Sequence, residues 1–211
     1  KLNATQVRSL STAQVAALTT AQATKLTTEQ LAAMSSAQVA AMSTADLATL
    51  TTTQLQAISS AGVGAMSTAQ IASLGGLGTA QVSALTTAQV RALNSAQVTA
   101  LTTAQVVALG SNQVFVLSSV QIAMLESRDI ASLTTANIAA LRGVQTVGLT
   151  TDQIRALTTA QVEAMASAAL SALGTGQLQA LRTDQIVALT TAQLADLDAD
   201  QVASLKTSQV A

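Results

Sequence analysis

The stretch Leu101-Thr102-Thr103-Ala104-Gln105-Val106-Val107-Ala108 decides the fold. Thr102 is a short hydroxyl residue ahead of an apolar run, and Gln105 follows it by three. Ser/Thr-x-x-Gln is the pattern of a capping box. The hydroxyl accepts a free backbone N–H of the first helical turn, and the glutamine side chain reaches back to the N–H of the cap itself. Leu101, just before the cap, and Val106, the fourth helical residue, hold the positions of a hydrophobic staple. Ala104 and Ala108 favour helix over strand. Eight residues therefore specify a complete helix start.

The phrase is written 26 times. With Leu101 as position one, nine copies begin at residues from Leu2 to Met66, and 17 more begin at residues from Leu77 to Leu205. Leu74-Gly75-Gly76 is a three-residue insertion between the two runs, read as a bulged loop or as a hinge between two arrays. Position one is always Leu, Met or Ile; Met34, Met42, Met66 and Met165 stand there as core fillers. Position six is aliphatic except at Ala23 and Thr146. Position five is Gln except at Asp46, Gly62, Asp129, Asn137 and Ala169. A short fixed period means a solenoid. Residues 1–211 read as one array, with repeats over 2–73 and 77–211 and the insertion at 74–76. They also read as an excerpt of a longer array, without the polar end-caps that free solenoids need.

The helix cannot run on from one phrase to the next. Eight residues of α-helix turn through roughly 800°, so the Leu positions would spiral around the rod and share no core. We expect an all-α solenoid: a short helix over positions three to eight of each phrase, then a corner. One unit cannot stand alone. Two buried aliphatic side chains contribute roughly 1.5–3 kcal/mol each, and ordering the backbone costs about 1–2 kcal/mol per residue. The alternative is a β-solenoid, which Val, Ile and Thr would suit. Against it, positions one and six differ by five, and in a straight strand they would face opposite ways.

Gln at position five exceeds what capping requires, because Glu would serve equally and never occurs there. Successive coils are expected to place these amides side by side, hydrogen-bonded in a ladder that carboxylates would disrupt by repulsion. Gly78, Gly110, Gly143 and Gly174 lie in phrases spaced 32 residues apart. That spacing fits four phrases per coil; it fits equally a duplicated 32-residue gene unit.

Composition excludes much chemistry. Net charge is −1 and 9% of residues are charged, so no basic surface exists to bind nucleic acid, and Phe115 is the single aromatic. There is no Cys or His. Hydroxyls abound, but none has a base to activate it, so no enzyme activity, cofactor or small-molecule substrate is expected. No apolar run is long enough for a membrane span. Asp196, Asp198 and Asp200 resemble the opening of a calcium loop and are the candidate metal ligands. The match fails at the sixth loop position, Gln201 instead of Gly, and at the twelfth, Thr207 instead of Glu. Glu126, Arg128 and Asp129 read as a solvated face with local pairing. Asn3-Ala4-Thr5 matches an N-glycosylation acceptor.

Over essentially its whole length the chain resembles octapeptide tracts, Leu-Thr-Thr-Ala-Gln-Val/Ile-Ala-Ala, of very large secreted bacterial proteins of surface-layer, filament and adhesin types. The resemblance implies an extracellular or cell-surface structural segment. Toxin-type adhesin arrays also carry a calcium-binding nonapeptide, which is absent here. The expected role is a stalk, spacer or filament subunit whose partners are further repeats or further copies. The alternative is a binding module that presents a Thr-rich face, at positions two and three, to ice or another surface.

Overall fold

The computed structural model describes residues 2–74 and 79–210, Val210 by its backbone. Among these residues there are 26 helices of four to six residues and no strand, so the fold is all-α and the β-solenoid alternative is overturned. One helix turn between positions one and six brings both to the same side, which a straight strand cannot do. No helix is long and apolar enough to cross a membrane among the described residues. The chain divides into two compact units, Lys1–Leu109 and Gly110–Ala211.

In the first unit the phrase beginning at Met34 shows the local rule. Ser35 holds extended backbone (φ −71°, ψ 162°), and its hydroxyl accepts the Gln38 N–H at 3.2 Å. Gln38 Oε1 accepts the Ser35 N–H at 2.8 Å. The helix runs Ser36–Ala41 and then Met42 returns to extended backbone (φ −65°, ψ 143°). The helix stops there because Ser43, one residue on, is already the cap of the next helix. In the second unit Thr158 and Gln161 repeat the arrangement around Thr159–Ala164.

Within each unit most of the short helices lie against the helix three phrases on. In the first unit Ala4–Arg8 packs on Thr28–Ala33, and Ser36–Ala41 on Ser60–Gly64, which packs in turn on Thr87–Ala92. In the second unit Ser127–Ser132 packs on Thr151–Ala156, and Thr135–Ala139 on Thr159–Ala164. Of the two readings of the 32-residue glycine spacing, four phrases per coil is not the one these contacts follow. The reason is packing. Each phrase brings one position-one and one position-six side chain inward, enough to fill a ring of three helices. A wider ring would enclose a void, and voids cost stability. Gly110 and Gly174 are ordinary extended caps (φ −76° and −71°), so their spacing does not mark a coil. Gly78 and the glycines of the insertion lie outside the described residues.

The core is built from positions one and six. Leu31, Val39, Leu47 and Leu55 are fully buried in the first unit, as are Ile122, Ile130, Ile138 and Ile154 in the second. Met34, Met42, Met66 and Met165 are buried as core, as their position-one register requires. Thr146, the polar exception at position six, is also buried. Its hydroxyl lies 2.7 Å from the carbonyl of Ala169 on the neighbouring coil and 3.0 Å from that of Gly143, so it has an acceptor in the interior.

Candidate functional site

The distinctive arrangement of this chain is a row of buried glutamine amides at position five. Both halves of each amide are used. Gln38 Oε1 accepts the N–H of its own cap, while Nε2 donates to carbonyls of the preceding coil: Val7 at 2.8 Å, Leu10 at 2.7 Å and, at 3.2 Å, Arg8. These carbonyls lie at the corner where one helix ends and the next begins, where backbone acceptors lack an intrahelical partner. Position one supplies an acceptor at most of the rungs. In the first unit Gln54 reaches Leu26 at 2.7 Å and Gln70 reaches Met42 at 2.6 Å. In the second unit Gln153 reaches Leu125 at 2.6 Å and Gln193 reaches Met165 at 2.7 Å.

The expected ladder of amides bonded to one another is thereby corrected. The amides bond to backbone corners and not to one another. The exclusion of Glu follows directly: Glu could accept the cap N–H but has no N–H to give to a carbonyl. The sequence signal was the absence of Glu; the identity of the acceptor required the fold.

The insertion leaves the ladder in register. Gln38, Gln153 and Gln185 bond to carbonyls 28 to 31 residues back. Gln81, Gln89 and Gln97, which reach across the insertion, bond 31 to 34 residues back. The separations lengthen by the three inserted residues, so the same phrase positions meet. Gly75 and Gly76 of the insertion, read from sequence as a bulged loop or a hinge, lie outside the described residues.

Two rungs depart informatively. Asp46 is 1% exposed, and its Oδ2 takes the Ser43 N–H at 3.4 Å. Its Oδ1 has no hydrogen-bond partner. At Gly62 a Cβ would stand 3.0 Å from both Ile58 Cγ2 and Val39 Cγ2, so the position is closed to a side chain unless these give way.

The residues singled out for chemistry are placed as follows. Asp198 caps the helix Ala199–Ala203, its Oδ1 accepting the Gln201 N–H at 2.8 Å. Asp200 lies in the first turn of that helix, and Asp196 closes the preceding one. They are not brought together: among the described residues no group of three His, Cys, Asp or Glu side chains is placed to hold a metal ion. Arg128 pairs with Glu126 at 2.7 Å on an exposed surface, as expected. Asp129 is instead buried at position five, its Oδ2 accepting the Glu126 N–H at 3.2 Å, which corrects its reading as part of a solvated face. Asn3 Oδ1 accepts the Gln6 N–H at 2.9 Å as the first cap. The Thr hydroxyls at position two are engaged in the same way, as at Thr86 and Thr150.

Sequence reasoning assigned no partner to Phe115. The Arg142 guanidinium lies 4.5 Å from its ring centroid, a cation–π contact on the surface of the second unit. The phrase spacing gave no signal of it.

A family model described as an ALTTAQ repeat matches residues 1–28, 39–76, 74–103, 92–126, 122–159 and 156–191. No curated protein matches the chain.

Proposed function

The chain belongs to the ALTTAQ repeat family, and from that premise we propose that it is a structural segment, a stalk, spacer or filament subunit on or outside a cell. The observation that supports this reading is the corner ladder. Most phrases make the same contacts to the phrase three back, through a neutral amide that binds backbone and ignores side-chain identity. Such an array lengthens by adding phrases, with no new contact to invent. The ladder moves neither proton nor electron and recognises no side chain, which suits a part that sets distance. Secretion fits the resemblance to octapeptide tracts of bacterial surface proteins and the absence of cysteine, and the location is part of the proposal.

The test is hydrodynamic. Arrays extended by three, six and nine consensus phrases are compared by sedimentation velocity. The frictional ratio is expected to rise with each addition. A ratio that stays constant as mass grows would remove the spacer reading. Protease shaving of intact source cells tests the location, with release of the array expected.

A further inference from the structure

At Asp46 the corner joint of the first unit is built from oxygen alone. Gln38 and Gln54, in the phrases on either side, and Gln70, three phrases on, donate Nε2 to carbonyls 28 to 31 residues back, at 2.6–3.2 Å. The same register sets Asp46 at the corner of Ala16 and Leu18. Its helix, Thr44–Thr49, packs on Thr20–Ala23, which begins just past that corner. The carbonyls of Ala16 and Leu18 accept no hydrogen bond among the described residues.

The carboxylate is held inside, with Asp46 1% exposed and its buried Oδ1 without a hydrogen-bond partner. A buried negative charge set against carbonyl oxygens is costly unless a positive charge stands between them. The protein supplies none. The Ser43 N–H reaches only Oδ2, at 3.4 Å, and the Ser43 hydroxyl is itself the acceptor of the Asp46 N–H, at 3.0 Å. Among the described residues the ion pairs join Arg128 to Glu126 and Arg182 to Asp184, both far along the chain in the second unit.

Size and charge select the ion. Aspartate is one methylene shorter than glutamine, so its carboxylate stands back from the carbonyls by about 1.5 Å more than the amide does. A small hard cation spans such a gap, at metal–oxygen distances of about 2.3–2.6 Å, and an all-oxygen donor set suits it. One carboxylate cancels one positive charge. A divalent ion would leave net charge in the interior, and calcium takes about 6–8 oxygens. Leu18 is half-buried, which leaves the corner within reach of solvent.

We propose that Asp46 Oδ1 and the carbonyls of Ala16 and Leu18 bind a sodium ion. The ion joins this rung to its corner as Nε2 joins the others, and it makes the stability of the first unit depend on sodium. The inference stands apart from the spacer reading, which is judged by frictional ratio.

The test uses the 211-residue chain, with sodium, potassium or choline chloride at equal ionic strength. Broadening of the sodium NMR line on titration gives the dissociation constant. As sodium rises to about ten times that constant, the melting midpoint is expected to rise by roughly 3–6 °C over choline. Potassium, the larger ion, is expected to shift it less. Asp46→Gln installs the residue of the neighbouring rungs, so the variant is expected to fold. It should lose both the sodium shift and the line broadening, and in choline it should melt above the wild type. A wild type that melts alike in sodium and choline overturns the proposal. So does an equal shift with potassium, or a sodium shift that survives in Asp46→Gln.

Discussion

Gln89 shows what a single residue contributes. It is 1% exposed, and its Nε2 donates to Leu55 and Ile58 carbonyls, each at 2.8 Å. Gln89→Glu keeps the capping acceptor but sets an oxygen against two carbonyls. Chemical denaturation should show a loss of at least about 1–3 kcal/mol, the cost of an unmet buried acceptor. The same change at Gln14, whose Nε2 faces solvent, should be near neutral. Asp46 is the converse case, and Asp46→Gln should add about 1 kcal/mol by restoring the donor; an unchanged midpoint would mean that the rung is closed to a longer side chain. Asp184 carries the surface charge effect. The Arg182 guanidinium, bonded to both carboxyl oxygens at 3.0 Å, holds this carboxyl below its ordinary value of 3.8. A depressed folded value means that the pair's contribution is complete above the unfolded value and fades as pH falls through the lower folded one. In an NMR titration Asp184 should have a midpoint below 3.8 that rises in Arg182→Ala.

At the scale of the element, capping does the work that length does elsewhere. Helices of four to six residues are far below what survives alone in water. Most are started by a box and stopped by the next one. Most starts were legible in the sequence because the box is local. At Arg142 and Arg182 the cap side chain makes no capping bond, yet the helix begins because Gln145 and Gln185 Oε1 still accept the cap N–H, at 3.0 and 2.7 Å. Ala166, with Ala169 at position five, has neither half of the box but keeps the extended cap backbone (φ −60°, ψ 138°). Packing of Ser167–Leu170 on Gly143–Thr146 supports that helix instead. Ala166→Ser should therefore stabilise the second unit by about 0.5–2 kcal/mol in thermal or chemical unfolding.

At the scale of the whole molecule, the consequence is register. A change of eight residues exchanges one phrase for its neighbour, whereas a change of four puts polar position five where position one belongs. Deleting Leu149–Ala156 from the second unit should leave the helical far-ultraviolet spectrum and a cooperative melt. Deleting Leu149–Asp152 should broaden or abolish the melt. Equal behaviour of the two deletions would contradict a stack held by phase. The insertion at 74–76 respects the same logic, since the amides that cross it still find position one.

Sequence alone determined that the chain is built from short helices, where most of them begin, which residues form the core and that a neutral amide is favoured over Glu at position five. All of these are local or periodic properties, carried by residues within one phrase of each other. The tertiary structure decided that helices meet three phrases apart and not four, that the amides grip backbone corners, and that Asp129 is buried. Those depend on how tightly the chain closes around its core, and closure is set by the volume of side chains meeting from distant phrases, which no single phrase contains.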